Sequence, residues 1–393
     1  MIAHPPDDMG RVSKISGYNV LVFSPFYLPG VRGGGPIRSL QVLMECMPLD
    51  VTLFMVTADR DLGESHPYPG LSSRVIEHHH HRVFYWNSRS VRSWWRLQAL
   101  LRARRYDLLY VNSLWSPLFT MLPLALTHGV IRAKQILIAP RGELSPGALG
   151  LKNAKKRLAL ATWGRVLAGR SPLWHASTAL ERAHIVEHFP RAEVIVQINS
   201  TGPAPSSPAA SAPTACFVFI SRISPKKNLP FLLRALQDCR ERVRLDIYGP
   251  LEDRQHWEEC QAAFRRLPTN VSVNYRGELP MEKVQATFSR YDAFLFPTLG
   301  ENFGHVVAES LAAGCPVVCS TGTPWTDLLR HGCGAALEIG DPAIWTQEID
   351  IRAAQSELHR SANKQRAAHL YASWRDKQKY TSAIQVALTR EIS

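Results

Sequence analysis

The sequence lacks several features that would place it in a particular class of protein. No run of about eighteen uncharged apolar residues occurs, and residues 1–17 contain no apolar segment like that of a signal peptide. The seven cysteines are an odd number, with no C-x-x-C pair and no Cys/His spacing typical of a zinc site. These absences predict a cytoplasmic chain with reduced cysteines in its core or helices, and with neither a membrane span nor a standard export signal.

The positive charge of the chain is concentrated in its first half. Residues 1–200 contain 24 Lys and Arg and 13 Asp and Glu, a net charge of +11, whereas residues 201–393 have a net charge of +2. We therefore expect the basic half to face something acidic, for which nucleic acid, anionic lipid headgroups and a phosphorylated acceptor all qualify. A basic surface that only maintains solubility is the alternative.

The order of apolar runs predicts two domains of similar architecture. A chain of 393 residues exceeds one ordinary hydrophobic core. The small and Pro-rich segment 202–213 divides the chain in two, because it can pack neither as a helix nor as a strand. Strand-like runs on its two sides are 18–24, 51–57, 82–86, 107–112, 135–140, 172–177 and 194–198, then 216–221, 244–249, 271–277, 293–297 and 316–320. Helix-length segments separate them, which predicts an α/β fold of two doubly wound parallel sheets, with ligands beyond the carboxyl ends of the strands.

The clearest local motif lies in residues 293–320. A strand is followed by the turn ENFG at 301–304, by a helix, by a Gly that ends the helix and by another strand. The amides of this turn and the helix N-terminus favour an anion. On one helix Glu301 and Glu309 would lie about 12 Å apart and about 80° out of phase, which is unlike the paired carboxylates of a hydrolase. Their spacing favours two contacts along one long ligand.

The pattern E-N-F-G-x-x-x-x-E, followed by A-x-G-C-P-V-V, resembles the glutamate-x7-glutamate signature of retaining glycosyltransferases of family 4, also called group 1, which have the GT-B fold. The resemblance implies two Rossmann-like domains that face an interdomain cleft. It implies that Glu301 contacts hydroxyls of the donor sugar and that Glu309 binds the nucleotide ribose. The backbone amides of Asn302, Phe303 and Gly304 would hold sugar and phosphate.

A second turn matches the same family. After the strand at 216–221, Arg222 and Lys227 stand five residues apart, with Lys226 beside them and a helix that is predicted to begin with Asn228 as its N-cap. A guanidinium and an ammonium group beside a helix N-terminus form a clamp for a pyrophosphate. The resemblance implies that Arg222 and Lys227 have this role.

Glycines near strand ends supply further candidates for donor binding. Three successive glycines let the backbone approach a ligand closely, and similar enzymes place such a loop across the cleft from the donor diphosphate. Without the other motifs, a plain flexible loop would be the better interpretation. The residues predicted on these grounds are Gly33, Gly34 and Gly35, together with Gly249, Arg276 and Gly277 near the ends of later strands.

Arg141 follows the strand-like run at 135–140, in a turn where many relatives carry a histidine close to the donor sugar. This sequence resembles a subgroup with P-R-G or P-H-G at the turn. We predict that Arg141 stabilises the leaving phosphate or an acidic acceptor. The predicted catalytic residues are Glu301, Arg222, Lys227 and Arg141.

The implied domains are residues 18–200 on the acceptor side, a linker at 201–214, and residues 215–365 for the nucleotide sugar. The resemblance also implies that a last helix at about 366–390, within residues 366–393, returns to the first domain.

These features predict a retaining hexosyltransferase. It would move a hexose from a UDP-, GDP- or ADP-sugar to a hydroxyl of a saccharide or lipid-linked saccharide, in bacterial exopolysaccharide, O-antigen or glycolipid assembly. No D-x-D motif lies in the candidate site loops, so neither a metal nor another cofactor is expected. A GT-B nucleotide-sugar epimerase is an alternative, and a basic nucleic-acid or polyanion-binding protein is a weaker one, because no nucleic-acid-binding motif is present.

Two basic and apolar segments, 91–105 and 151–170, fit either of two interpretations. In the first, each segment is an interfacial helix on the inner face of the cytoplasmic membrane, with Trp94, Trp95 and Trp163 at the headgroup level. In the second, each is a surface helix whose apolar stripe faces the core. The histidine run at 78–81 lacks a completing carboxylate or cysteine, and therefore predicts an exposed loop rather than a metal site.

Overall fold

The computed structural model describes residues 17–45, 47–78, 81–145, 149, 171–198, 208–377 and 381–390. Within them the strands are β1 (Tyr18–Phe23), β2 (Val51–Ala58), β3 (Val75–Glu77), β4 (His81–Trp86), β5 (Arg105–Val111), β6 (Arg132–Ile138), β7 (Leu173–Ala176), β8 (Glu193–Val196), β9 (Cys216–Ile220), β10 (Val243–Tyr248), β11 (Val271–Tyr275), β12 (Ala293–Phe296), β13 (Val317–Ser320) and β14 (Gly334–Leu337).

The helices surround these strands. They are α1 (Gly35–Glu45), α2 (Val91–Arg102), α3 (Leu122–Leu126), α4 (Ala179–His188), α5 (Leu229–Gln237), α6 (Arg254–Phe264), α7 (Val284–Phe288), α8 (His305–Ala312), α9 (Thr326–Leu328), α10 (Pro342–Ala353), α11 (Glu357–Asp376) and α12 (Ala383–Thr389). Further helical turns lie at 117–121, 225–227, 281–283 and 329–333.

The strands form two sheets, as the sequence predicts. The first has the order β3-β4-β2-β1-β5-β6-β7-β8, and only the edge strand β3 is antiparallel to its neighbour. The second has the order β11-β10-β9-β12-β13-β14, with every pair parallel. The strand order reverses beside β1 in the first sheet and beside β9 in the second, and such a reversal leaves a crevice at the carboxyl ends of the strands.

The cores of both sheets are covered on two faces, which explains their apolar strands. All five residues of β9, Cys216–Ile220, are buried, as expected for a parallel strand between two helical layers. In α5 the residues Leu229, Leu232, Leu233 and Leu236 repeat with helical period and are fully buried. Burial of one such side chain contributes about 1.5–3 kcal/mol.

The end of the chain differs from the single helix expected at 366–390. It contains two helices, α11 and α12, of which α11 packs on α8 in the second domain. Only α12 lies against the first sheet, at β5, β6 and β8, where Ala383, Ile384 and Ala387 join its core. The predicted domain boundary at 365 therefore falls inside α11.

Some predictions fall outside the described residues. They include the first half of the linker at 201–214, the basic segment 151–170 and residues 79–80 of the histidine run. His81 itself begins β4 and is buried, so that part of the run is not an exposed loop as predicted. The cysteines Cys216, Cys239, Cys260, Cys315 and Cys319 are free and buried, as predicted for reduced core residues.

Candidate functional site

A cleft of about 550 Å³ lies between the carboxyl ends of the two sheets. It receives the loops that follow β1, β6, β9, β10, β11 and β12. Its walls are residues 31–36, Arg38, Ser39 and Arg141 from the first domain, and residues 220–222, 226–227, 249–250, 278–281, 301–306 and Glu309 from the second. Most of the residues singled out from the sequence therefore meet in one place.

Glu301 lies in the loop after β12 and is held as a carboxylate. Its Oε1 accepts hydrogen bonds from Lys227 Nζ at 2.5 Å and from Thr298 Oγ1 at 2.9 Å. Burial favours the neutral form of this carboxyl, but the ammonium groups of Lys227 and Lys226 outweigh burial and hold the pKa of Glu301 below its usual value. Within the described part of the chain, its Oε2 accepts no hydrogen bond. That oxygen is available to a ligand hydroxyl.

The turn at residues 301–304 is held in place by buried neighbours in the second domain. Gly304 has φ 78° and directly precedes α8, so α8 starts where the sequence predicts and Glu301 stands outside it. Phe303 is buried, and its carbonyl accepts a hydrogen bond from Trp325 Nε1 at 2.5 Å. Residues 301–306, which include this turn and the start of α8, line the cleft, and the N-terminus of a helix attracts negative charge.

Glu309 faces the first domain from the middle of α8. Its Oε1 lies 3.3 Å from Nε of Arg38 on α1, an ion pair that joins the two domains across the cleft. Burial raises the pKa of the Glu309 carboxyl, and Arg38 offsets this only in part. Arg38 was not predicted, because nothing near residue 38 in the sequence indicates a partner 271 positions later.

His305 makes a second contact between the domains. Its Nε2 lies 2.6 Å from Oγ of Ser39 on α1, and its ring lies against Gly35, where a Cβ atom would come within 3.0 Å of Cδ2. Burial, together with the nearby Arg141 and Arg38, lowers the pKa of His305 to about 3. The ring is therefore neutral at physiological pH.

Arg222 and Lys227 lie on the same wall, as the clamp hypothesis requires. Arg222 is partly exposed, and its Nη1 contacts Glu252 Oε1 at 2.6 Å. Lys227 is nearly buried and lies over the ring of Phe296. Asn228 does precede α5, but it has a left-handed backbone, and no hydrogen bond from its side chain caps the helix. Asn228 thus occupies the predicted N-cap position, but its side chain does not cap the helix.

The Gly33–Gly35 loop is held by an acid that the sequence did not indicate. The amides of Val31 and Arg32 donate to Asp61 Oδ2 at 2.8 and 3.1 Å. Within the loop Gly34 has φ 66°, a conformation that favours glycine. Backbone, rather than side chains, therefore forms much of this wall.

Gly249 lines the opposite wall, at the end of β10. It has φ 141°, and a Cβ atom there would lie 1.8 Å from the carbonyl oxygen of Ser221. Gly249 N donates to the carbonyl of Gly277, which is not itself among the lining residues. Only glycine fits the position of residue 249, so its presence reports on backbone packing as much as on a ligand.

Arg276 does not reach the cleft. Its Nε lies 3.3 Å from Oδ1 of Asp246, and it lines a separate cavity with Arg244 and Tyr291. The buried Asp246 carboxylate draws the guanidinium away from the site. The side chain of Arg276 therefore does not line the cleft, and a contact of its backbone with the donor stays a prediction, whereas Glu278, two residues later, does line the cleft.

Arg141 enters the cleft from the first domain. Its Nε donates to Asn112 Oδ1 at 2.5 Å and its Nη2 to Tyr110 OH at 2.7 Å. Tyr110 in turn contacts His175 Nδ1 at 3.0 Å, and burial lowers the pKa of His175 to about 3. Asn112 and Tyr110 thus help to orient the guanidinium of Arg141, which lines the cleft.

Glu181 joins this first-domain wall to the ENFG turn. The buried carboxylate accepts a hydrogen bond from Gly142 N at 2.7 Å and another from Asn302 Nδ2 at 3.0 Å. The sequence carries one signal for it, the Thr178-x-x-Glu181 spacing of a helix N-terminus, and the Thr178 side chain does cap α4. That spacing indicates a helix start rather than a contact between domains.

On the outer surface, α2 combines the two interpretations of segment 91–105. Its apolar residues Leu97 and Leu101 face the core, and Trp94 packs on Trp86. Trp94 is therefore not at an exposed interface, as the membrane interpretation required. Trp95 does remain 68% exposed.

The described residues contain neither a helix that could span a membrane nor a cluster of metal-binding side chains. None of the helices there is both long and apolar enough to cross a membrane. No group of three or more His, Cys, Asp or Glu side chains in the same residues is arranged to hold a metal ion.

Comparison with known proteins identifies relatives for part of the chain. Residues 214–352 match the family described as Glycosyl transferases group 1. The chain is 25% identical over 150 residues to O-antigen chain mannosyltransferase B of Escherichia coli, an alignment that covers 37% of this chain and 36% of that protein. It is 27% identical over 217 residues to D-inositol 3-phosphate glycosyltransferase of Streptomyces scabiei, covering 49% of each. The chain thus spans about a third to a half of the length of these relatives.

Solved structures match over almost the whole chain. HepE of Anabaena, in complex with UDP-glucose, has a TM-score of 0.68 at 16% identity and covers 94% of this chain and 98% of its own. Sucrose-phosphate synthase of Thermosynechococcus elongatus has a TM-score of 0.69 at 15% identity and covers 91% and 94%. At these identities the likeness concerns the fold.

Proposed function

We propose that this chain, which has the GT-B fold and whose residues 214–352 belong to the group 1 glycosyl transferases, is a retaining glycosyltransferase that uses a nucleotide-diphosphate sugar. Family and fold agree with the resemblance found in the sequence motifs. The observation that carries the proposal is the ion pair between Glu301 and Lys227. It lies just before the N-terminus of α8, in a cleft between two Rossmann-like sheets. A carboxylate for sugar hydroxyls thus lies beside cations for a diphosphate.

In this proposal, different residues bind the sugar, the diphosphate and the ribose of the donor. Glu301 accepts hydrogen bonds from sugar hydroxyls, and the amides at 302–304 together with Arg222 and Lys227 hold the diphosphate. Glu309 accepts from the ribose, for which it must leave Arg38. The bound nucleotide in HepE and the mannosyl and inositol-phosphate glycosyl transfer named for the relatives support this class of donor, which we extend to UDP-, GDP- or ADP-hexose.

The transfer step follows from these charges. The acceptor hydroxyl oxygen attacks the anomeric carbon on the face that the diphosphate leaves. The new glycosidic bond forms as the bond between that carbon and the phosphate oxygen breaks with its electron pair, and the hydroxyl proton passes to the departing phosphate. Arg222, Lys227 and the N-terminus of α8 stabilise the negative charge that develops there. The anomeric configuration is retained, which NMR of the product can test.

Replacement of Glu301 tests the proposal directly. We expect Glu301→Gln to reduce kcat/KM by about 100-fold, because the amide keeps the shape but loses the charge that binds sugar hydroxyls in the transition state. Purified protein is first screened for turnover of UDP-, GDP- and ADP-sugars. Glu357→Gln, on the exposed start of α11, is the control and should retain full activity. Unchanged transfer by Glu301→Gln, with folding verified by circular dichroism, would refute the assignment.

The donor screen also distinguishes the alternative enzyme class. A nucleotide-sugar epimerase would convert the donor into a second sugar without an acceptor, whereas a transferase releases the nucleoside diphosphate and forms a glycoside. We propose a saccharide or lipid-linked saccharide as the acceptor, in the assembly of a bacterial polysaccharide or glycolipid. The O-antigen mannosyltransferase among the relatives supports this choice.

We further propose that α2 contacts an anionic membrane surface. Val91 and Trp95 are 72% and 68% exposed, one helical turn apart, and the exposed arginines Arg92 and Arg96 lie beside them. An exposed aromatic ring among arginines suits the headgroup region of acidic lipids. In this proposal the protein is located at the inner face of the cytoplasmic membrane. It uses neither a metal nor another cofactor.

Liposome sedimentation tests the membrane contact. We expect the protein to sediment with phosphatidylglycerol vesicles at low salt and to be released at high salt, because salt screens the arginines. Trp95→Ser should weaken sedimentation several-fold, whereas Leu358→Ser, at a still more exposed apolar residue of the second domain, should not. Absence of sedimentation at low salt would contradict the contact.

A further inference from the structure

Glu181 is a buried carboxylate at the first turn of α4, and its hydrogen bonds are completed by the other domain. It is 2% exposed. Three donors come from its own domain: Ser177 N at 2.7 Å, Ser177 Oγ at 2.8 Å and Gly142 N at 2.7 Å. The fourth is Asn302 Nδ2 at 3.0 Å, from the ENFG turn of the second domain. Oε2 accepts three of these four hydrogen bonds and Oε1 accepts the one from Gly142, so the donor from the second domain joins the two Ser177 donors at Oε2.

The same contact has a steric component. Gly142 has φ 77°, and a Cβ atom there would lie 2.7 Å from Cβ of Asn302. The preceding Arg141 also has a left-handed backbone, at φ 55°. Two successive residues in this conformation are strained for any side chain. The bond from Gly142 N to Glu181 holds this turn, and with it the direction in which Arg141 enters the cleft.

One carboxylate therefore touches both halves of the site. On one side it fixes the turn that carries Arg141, and on the other it holds Asn302, the neighbour of Glu301. The same Asn302 Nδ2 also donates to Ser177 Oγ at 2.9 Å. One nitrogen therefore donates to two acceptors of the first domain, and the geometry of the contact is specific. A small change at Glu181 would alter the relative position of Arg141 and Glu301.

We propose that Glu181 is a positioning residue that sets the closed arrangement of the domains by binding the Asn302 side chain. The role rests on the proposed function, because what is positioned is Arg141 against the donor held at Glu301. The carboxylate does not touch the donor. It fixes the distance between the groups that do.

The first test separates binding from turnover. Asn302→Ala removes the interdomain bonds and keeps the backbone amide of the turn. We expect kcat to fall by about 10–100-fold, as for a misplaced reactive group, while the Kd for the nucleoside diphosphate, measured by calorimetry, changes less than twofold. Glu181→Gln should have a similar effect, and the double variant should be no slower than the slower single variant. Additive losses would show that the two residues act separately and would overturn the proposal.

A matched pair of glycine variants isolates the steric component. Gly142→Ala introduces a Cβ atom against Asn302, whereas Gly63→Ala introduces one at nearly the same φ, 78°, with nothing within 4 Å. Both variants carry the same backbone strain. We expect only Gly142→Ala to reproduce the loss of kcat. Equal effects of the two variants would assign the loss to strain alone and would contradict the proposal.

Small-angle scattering reports on closure without any assay of activity. Asn302→Asp places a second carboxylate against Glu181, and repulsion should give a larger radius of gyration than that of the wild-type protein. An unchanged radius for Asn302→Asp and Asn302→Ala, with unchanged kcat, would refute the positioning role. A wild-type protein that transfers no sugar from any donor would refute the proposed function instead, while the scattering result would still test the contact.

Discussion

The ionisation of individual side chains in the cleft follows from what surrounds each of them. Glu301 and Glu309 are both carboxylates in a buried wall, yet the pKa of Glu301 is lowered by two lysines and that of Glu309 is raised by burial. As the pH falls, the charged form of Glu301 is therefore favoured over that of Glu309. Glu309 is the group whose protonation would first weaken binding of a ribose as the pH falls.

His305 makes a testable contribution to stability. Its pKa in the folded protein is about 3, below the ordinary value of 6.5, so the unfolded chain binds one more proton between these values. Stability therefore rises with pH through this window and is lost as the pH falls. Arg141, Arg38 and Glu301 are the charged groups that face the ring.

We expect His305→Gln to reduce the slope of the free energy of unfolding against pH, between pH 4 and 6, by about 1.4 kcal/mol per pH unit. The amide can still meet Ser39, so the slope rather than the stability at pH 8 should change. Urea unfolding at several pH values measures it. His359→Gln, at an exposed residue of α11, should leave the slope unchanged. Equal slopes for the wild-type protein and His305→Gln would contradict the expectation.

Residues that act through sequence neighbours were predictable, and those that act across the cleft were not. Arg222, Lys227 and Glu301 were identified because each lies in the loop after a recognisable strand at a spacing that matches a motif, and the structure does bring these three together. Arg38 and Glu181 carry no such mark, because their partners lie more than a hundred positions away and only the fold makes them neighbours. Whether each residue binds a donor remains a prediction.

At the scale of elements, hydrophobic pattern was sufficient wherever a strand is central in its sheet. Each of the twelve runs predicted as strands overlaps a strand, because both faces of the sheets are covered and no polar alternation is needed. The strands that sequence reasoning missed are β3, a three-residue edge strand, and β14, whose sequence GAAL has little β propensity. Tertiary pairing with β4 and β13 determines both.

The docking of α12 on the first sheet can be tested by a single truncation. Ile384 is fully buried in the core of the first domain. We expect Ile384→Ala to lower the free energy of unfolding by about 2–5 kcal/mol, since it loses buried methyl groups and leaves a cavity. Ile351→Ala, at a residue of α10 that is 53% exposed, is the matched control and should change stability little. Comparable losses for the two variants, measured by denaturant unfolding, would contradict this docking.

At the scale of the whole molecule, domain closure and ligand binding use some of the same atoms. The carboxylate of Glu309 pairs with Arg38 of the first domain. In the proposed function the same carboxylate binds the ribose, so the ion pair and the ligand compete. The pair is only partly buried, and such pairs are typically worth less than about 1 kcal/mol. The competition is therefore mild and reversible.

We expect Arg38→Ala to increase affinity for the nucleoside of the preferred donor, but by no more than about fivefold. A nucleoside is the suitable probe, because it lacks phosphates that Arg38 itself could bind. Calorimetry of both proteins in the same buffer at pH 8 measures the effect. Arg32→Ala also removes a cleft arginine, yet Arg32 pairs with Glu64 and should have no such effect. Weaker nucleoside binding by Arg38→Ala would show that the pair does not oppose the ligand.

The position of α12 also has a consequence for synthesis. Domains generally fold in the order in which they leave the ribosome. The core of the first domain, however, includes Ala383, Ile384 and Ala387, which are made after the whole of the second domain. The second domain can therefore complete its core first. Until α12 is made, the apolar surface of the first sheet that it covers stays exposed. During translation, the wall that carries Arg141 is the last part of the cleft to become stable.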